Sequence, residues 1–419
     1  MSSPRSLSSY FGGIGRALSN PLYRLYWSGH VFMVQGVWIH KIAAGWLMYD
    51  ITRSPFWLGA VGFAYFLPLL VLGPIAGAIS DRFGPRRLSI VISIISSFIA
   101  ATTALVTWLD LITPPLLVAL IIFQGMMMAI EFPARQSLYP RLLSREDMPA
   151  AIATNTTTFY TSAFIGPLIG GLILKHFGAY ACFAANAIVI AWMASVLIRL
   201  KLKPRPRQPG SMANLLEDIK LGVVYTLNHT PIKMLILMSF LVALFLRPYL
   251  EFLPGIAVEI FKRDEQGLAY LMAASGVGGL GFAALLAIRG RTQGLLKIHV
   301  YCQFISALML VLFTATDIFW FGLVSLGLTG GFIVSSSIGG QSLIQHLVDD
   351  RFRGRIVSLS VALGVGGPAL GTLAIGWVAE SFGMQQSLTV SSVILILVTL
   401  YPARILLSQP KDIESKSAK

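Results

Sequence analysis

Charge is scarce in this chain. Asp, Glu, Lys and Arg make up 12% of its 419 residues, and hydrophobic residues reach 55%, whereas a soluble domain carries about 25% charged residues. So few charges cannot cover a water-exposed surface, which excludes a soluble globular protein. Cysteine is scarcer still: Cys182 and Cys302 lie in separate apolar runs, which excludes a disulfide scaffold and a cysteine metal centre, and both read as small packing residues. No Gly-x-x-x-x-Gly-Lys-Ser/Thr loop occurs, so direct use of ATP is not expected. Nor does any nucleophile, metal-ligand cluster or carboxylate pair stand out, so neither an enzyme nor a bound metal or cofactor is expected. The first twenty residues lack the apolar core and the small-residue cleavage site of a signal peptide, and read as a cytoplasmic tail with a short amphipathic piece.

Long apolar runs are what the chain does have. Twelve of them, each about 20 residues and able to cross a bilayer core of about 30 Å as a helix, begin near Leu22, Pro55, Leu88, Thr113, Met148, Ala179, Ile232, Leu268, Ile298, Ile318, Ile356 and Gln385. The expected fold class is an all-α polytopic membrane protein with twelve transmembrane helices. One long hydrophilic segment, "RLKLKPRPRQPGSMANLLEDIKLGVVYTLNHTP", follows span 6 and divides the chain into two halves of six spans. Its second part sets Leu215, Leu216, Ile219, Val223 and Leu227 on one helical face against Glu217, Asp218 and Lys220, the pattern of a helix lying on the membrane surface. The expected division is a tail at 1–21, a first bundle at 22–200, a linker at 201–230, a second bundle at 231–408 and a tail at 409–419.

The net charge of +14 is informative through its distribution. Lys and Arg crowd the connections on one side, while Arg53, Lys175, Lys262 and Arg263 fall on the other and Lys41 and Arg247 lie within spans. That is the positive-inside bias, and it predicts that both termini are cytoplasmic. Basic residues spread over loops, without aromatics between them, do not make a nucleic-acid surface. Asp50, Asp110, Asp317, Glu259 and Glu380 fall near the opposite span ends and read as solvated, with Asp50 a candidate outer-gate group.

A repeat runs through the spans. Gly-Pro-x-x-Gly occurs as Gly73-Pro74-x-x-Gly77 in span 2, Gly166-Pro167-x-x-Gly170 in span 5 and Gly367-Pro368-x-x-Gly371 in span 11, equivalent positions if a three-helix unit is repeated four times. Glycine admits close helix approach and proline bends the helix, a combination tolerated where neighbouring helices re-satisfy the backbone. The Gly276, Gly278 and Gly281 pattern in span 8 lacks the strand and the acidic partner of a dinucleotide fold and reads as helix packing.

Between spans 2 and 3, "GAISDRFGPRR" resembles the signature of the major facilitator superfamily, with Gly77, Asp81, Arg82, Gly84, Arg86 and Arg87 aligned and Pro85 substituted before the basic pair. "GVWIHKIAAGWLMYDITRSP" in span 1, "EFPARQSLYPRLLSREDMPAAIATN" after span 4, "FIGPLIGG" in span 5 and "FRGRIVSLSVALGVGGP" entering span 11 are similar to the branch that includes the enterobactin exporter and related drug and siderophore efflux proteins. The resemblance implies two pseudo-symmetric six-helix bundles in a bacterial inner membrane, working as a monomer by alternating access. It also implies a small-molecule substrate and protons as the coupling ion, and it gives the signature loop, with Arg135, a gating role in which Asp81 caps a helix or pairs with an Arg across the halves. Many drug/proton antiporters of the superfamily carry an Arg in span 4 before Gln-Gly. Here Gln124-Gly125 is present, but Ile121 stands where that Arg would be, which leaves Glu131 as the nearest coupling candidate, or a group that pairs with an Arg at the helix end.

Charges inside spans complete the reading. Arg247 and Glu251 are spaced i,i+4 in span 7, so they can share a face and neutralise each other, in a helix that Pro248 and Pro254 bend. Lys41, beside His40, is the matching group of span 1. A charge at mid-membrane costs roughly 2.5–3.5 kcal/mol on insertion scales and faces a watery cavity or a partner. Two readings follow. In one, Lys41 and Arg247 make an electropositive cavity for an anionic or zwitterionic group, with Glu251 or Glu131 protonatable; in the other, local ion pairs only hold the packing. The first gives proton-linked export of a small amphipathic molecule, with a lysophospholipid transporter or a non-transporting receptor as alternatives.

Overall fold

The computed structural model describes residues 15–408 except 145, 203–214, 292 and 350–351. Twelve helical spans cross the molecule: Pro21–Thr52, Pro55–Gly73, Pro85–Trp108, Pro114–Gln136, Met148–Phe177, Ala179–Arg199, Thr230–Glu259, Glu265–Arg289, Leu295–Thr314, Phe319–Leu347, Arg353–Phe382 and Met384–Ser408. The second runs on as helix to Phe83. Proline opens four of the first five spans, where its fixed φ suits the first turn and its missing N–H leaves no donor unpaired. Asn20 caps the first, accepting from the N–H groups of Leu22 and Tyr23.

The turns between spans 2 and 3, 5 and 6, and 11 and 12 are single glycines at positive φ: Gly84 at 81°, Gly178 at 83° and Gly383 at 83°. Between spans 8 and 9, Gly290 and Gly294 also have positive φ, in the left-handed helical region. Each turn reverses the chain in a conformation that L-residues rarely adopt. Positive-φ glycine at all four corresponding turns, three of them single-residue turns, is the backbone trace of the four-fold repeat. The repeat also appears in packing. A Cβ on Gly166 or Gly170 would press on Trp38 and Ile42 of span 1, and one on Gly371 would stand 1.9 Å from the Leu244 carbonyl of span 7. Span 5 therefore lies on span 1 as span 11 lies on span 7. The copy in span 2 differs, because Gly73 and Gly77 have no atom within 4 Å of such a Cβ; the Pro74 side chain lies outside the described set.

Two spans expected as single helices are interrupted. Span 7 is helical over Thr230–Phe245 and again over Tyr249–Glu259, broken at Pro248, which has no N–H to continue the ladder. Span 11 divides at Gly367 and Pro368 in the same way. The linker helix forms over Leu215–Asn228. The side chains of Leu215, Leu216, Asp218 and Ile219 lie outside the described set. On the expected apolar face, Val223 and Leu227 are exposed rather than packed on protein, and Gly222 and Thr226 are buried.

The halves meet through spans 5 with 8 and 2 with 11, where glycines bring backbones together. A Cβ on Gly276 would stand 2.5 Å from the Ala163 carbonyl, and one on Gly59 2.4 Å from that of Thr372. The face carrying Arg82, Arg86, Arg87, Arg199 and Arg289 is the basic face. Polar bonds gather the halves toward the other one. Tyr49 Oη donates to Glu259, Ser54 Oγ and the Phe56 N–H donate to Glu380 at 2.8 and 3.1 Å, and Lys175 pairs with Asp264 at 2.9 Å. Glu259 and Glu380 thus bind across the halves instead of standing free in solvent. Asp50 makes no such bond and pairs with Arg53 of its own span end at 2.9 Å.

Candidate functional site

Lys41 lies eleven residues before the end of its helix, about 16 Å at 1.5 Å per residue. Its Nζ stands 2.6 Å from Glu251 Oε1 in the other half, with the two side chains 14% and 8% exposed. The ammonium also lies 5.7 Å from the Trp38 ring centroid and 5.5 Å from that of Phe66, within the range where a ring face attracts a cation. A carboxylate of span 7 thus closes an aromatic-sided pocket around a cation of span 1. The expected pairing of Arg247 with Glu251 is overturned. The break at Pro248 separates the two residues from a common helical ladder, and Glu251 turns to Lys41.

Arg247 sits in the break itself. Its Nη1 donates to the Gly364 carbonyl at 3.3 Å and its Nη2 to Ser337 Oγ at 3.1 Å. Among the described residues no carboxylate stands within 4 Å of it. It is a half-buried guanidinium held by neutral acceptors, with donor capacity left over. Next to it, Tyr249 Oη and Ser275 Oγ share a 2.6 Å hydrogen bond that ties the second segment of span 7 to span 8.

The other candidates lie elsewhere. His40 points away from its neighbour Lys41, its ring 5.0 Å from that of Phe183 in span 6 and both nitrogens without partners. Successive residues on a helix are about 100° apart, so adjacency in sequence is not adjacency in the site. Glu131 is buried inside the first half, 3.6 Å from Arg135 Nε and accepting from Ser93 Oγ at 3.3 Å. Arg135 continues that cluster to His30 Nδ1 at 3.4 Å, and His30 stacks on Tyr26. Gln124 has a buried amide oxygen without a partner.

The signature loop divides as well. Arg86 reaches within its own half, Nε to the Leu197 carbonyl at 3.0 Å and Nη2 to that of Ile198 at 2.7 Å, which satisfies the last carbonyls of span 6. Arg82 is exposed over the Phe83 ring and Arg87 is exposed. The side chain of Asp81, expected to cap or to pair, lies outside the described set.

Four uncharged residues complete the site: Trp38 and Phe66 beside the Lys41 ammonium, and Gly62 packed against Glu251 and Thr372. Trp38 carried a signal, because i,i+3 spacing puts it on the face of Lys41. The other three come from span 2 and span 11, and no local pattern joins those spans to Lys41.

The family profile described as "Transmembrane secretion effector" matches residues 16–419. The chain is 24% identical over 381 residues to the staphyloferrin A transporter of Staphylococcus aureus, covering 90% of this chain and 94% of that one. It is 23% identical over 360 residues to the multidrug efflux pump Tap of Mycobacterium tuberculosis, covering 83% and 84%. Among solved structures, the D-xylose–proton symporter superposes with a TM-score of 0.69 at 15% identity, covering 89% of this chain and 96% of that one. The nucleoside transporter NupG superposes with a TM-score of 0.66 at 14% identity, covering 90% and 98%. These two carry the fold.

Proposed function

The chain belongs to the transmembrane secretion effector family of the major facilitator superfamily and is a membrane transporter, and from that premise we propose that it is a secondary active exporter of a small amphipathic anion or zwitterion, coupled to inward proton flow. The observation that carries the reading is a division of labour in span 7: Glu251 holds the cation of the opposite half, while Arg247, four residues earlier, keeps only neutral acceptors. Arg247 is then the group that receives the substrate's anion. Relatives named for a siderophore and for multidrug efflux favour an organic cargo of this size class.

Glu251 is the coupling carboxylate in this scheme. Deprotonated and without substrate, it ties the halves through Lys41; a proton or the cationic group of the substrate, bound to it in turn, releases Lys41 and frees the halves to rock. A zwitterion fits best, because its cationic group competes with the proton for Glu251 while its anion takes Arg247. Competition for one carboxylate is the condition for exchange, and exchange with an inward proton drives export. The basic face is the cytoplasmic one, by the positive-inside bias.

Proteoliposomes loaded in turn with a catecholate siderophore, a lysophospholipid and a lipophilic cation, under an imposed pH gradient, test this. Wild type should move the anionic or zwitterionic probe uphill. Glu251→Gln should equilibrate that probe without accumulating it, and Arg247→Ala should lose its flux. Uphill transport undiminished in Glu251→Gln would end the coupling assignment, and a preference for the lipophilic cation that survives Arg247→Ala would end the anion assignment.

A further inference from the structure

On the basic face, an apolar groove of about 240 Å³ runs between the linker helix, the first segment of span 7 and the first segment of span 11. It lies within the second half, apart from the Lys41–Glu251 site. Lys233, in the first turn of span 7, stands at its rim, and Ile236, Leu237 and Phe240 continue down one wall. Lys233 to Phe240 is about 10 Å along the helix axis at 1.5 Å per residue. Leu359 and Leu363 of span 11 form the facing wall, and Leu227 of the linker helix closes the rim.

The shape has a direction. Span 7 starts at the membrane surface, so the groove's charged end lies at headgroup depth and its apolar end extends toward the bilayer core. The charge at that end has no acidic partner among the described residues. Among them, Lys233 donates only to the Leu227 carbonyl, at 3.4 Å. The 16-residue helix beginning at Thr230 has no side-chain cap at its N-terminus, so its positive dipole end faces the same level. Leu227 and Val224 of the linker helix, 57% and 45% exposed, add apolar surface beside that end, as a helix lying on a membrane surface does.

We propose that this groove is a binding site for an anionic phospholipid, with one acyl chain between spans 7 and 11 and the phosphate at Lys233 and the uncapped helix end. An apolar wall with a basic rim at headgroup depth matches each part of such a lipid. The two walls are the basic-face segments of the two interrupted spans, so the chain between them sets their separation.

The test uses the full-length protein, delipidated in detergent and exposed to vesicles of equal phosphatidylglycerol and phosphatidylcholine, with retained lipid read by native mass spectrometry. Wild type should retain phosphatidylglycerol about tenfold over phosphatidylcholine. Lys233→Glu should remove the preference, and Leu237→Trp, which fills the groove from an exposed position, should lower retention of both lipids. Lys297→Glu, in the first turn of span 9 and exposed, should change nothing. The site is refuted if Lys233→Glu keeps the preference, if Lys297→Glu loses as much of it, or if Leu237→Trp retains lipid undiminished.

Discussion

Gly62 of span 2 faces Glu251 of span 7 across the junction of the halves with no room for a side chain between them. A Cβ on Gly62 would stand 2.8 Å from Glu251 Cγ and 2.7 Å from Cγ2 of Thr372. Both obstacles are near their own backbones, so neither swings clear by changing a terminal rotamer. The reach of Glu251 to Lys41 therefore depends on a glycine in a third span.

Replacing that glycine is the most economical perturbation of the site. Gly62→Ala should destabilise the protein by about 1–3 kcal/mol, the usual cost of overpacking, and should displace Glu251 from Lys41. Thermal unfolding and flux in proteoliposomes would both fall. A variant that melts and transports like wild type would mean that spans 2 and 7 have slack there.

Which cation Glu251 serves is decided by a double-mutant cycle. Removing one partner of a buried ion pair leaves the other charge stranded and costs about 3–5 kcal/mol. Lys41→Ala and Glu251→Ala should each cost on that order, and the double variant much less than their sum. Arg247→Ala combined with Glu251→Ala should show the weaker coupling, because the two side chains share no partner. Stronger coupling of Glu251 to Arg247 than to Lys41 would restore the local pairing that i,i+4 spacing suggests.

That spacing marks where the sequence stopped being legible. The twelve spans began within three residues of their expected starts, because apolar length and proline at the first turn are local signals. Lys41, Arg247 and Glu251 stand out for the same reason, being charges in apolar runs. Their partners were not legible. The i,i+4 spacing pairs Glu251 with Arg247 only if the helix runs unbroken through Pro248, and adjacency groups His40 with Lys41 although its ring faces Phe183. Trp38, Phe66, Gly62 and Thr372 reach the site through the packing of spans 1, 2 and 11, which no single span encodes.

Arg86 offers a test of the signature loop. Its guanidinium satisfies the Leu197 and Ile198 carbonyls at the end of span 6, groups that have no partner within their own helix. Arg86→Ala should cost about 1.5–3 kcal/mol, the range for a hydrogen bond to a charged group, and should speed hydrogen exchange in the last turn of span 6. Arg86→Lys should recover only part, because one ammonium cannot reproduce a forked donor. Unchanged exchange in Arg86→Ala would show that water replaces the guanidinium at no cost.

The contact between Lys175 and Asp264 should make the closure of the opposite face depend on acidity, with a definite sign. The hydrogen bond from Lys175 holds the Asp264 carboxyl below its ordinary value of 3.8. A group whose folded pKa is depressed contributes fully above its unfolded value, and that contribution is lost as pH falls through the folded one. Neutral pH therefore leaves the tie intact, and it loosens only below about pH 4. Asp264 has a second task, since its Oδ1 accepts from the Gly267 N–H at 3.2 Å and caps span 8. Asp264→Asn keeps an oxygen for that cap and removes the charge, so it isolates the ion pair, whereas Asp264→Ala loses both. Melting temperature followed from pH 7 to pH 3 should show wild type above Asp264→Asn at neutral pH, with the gap narrowing once the pH falls below about 4. Because the side chains are 40% and 49% exposed, 1 M salt, with a screening length of about 3 Å, should shrink the gap at neutral pH. Identical curves for wild type and Asp264→Asn at every pH would remove the pair from any part in holding that face closed.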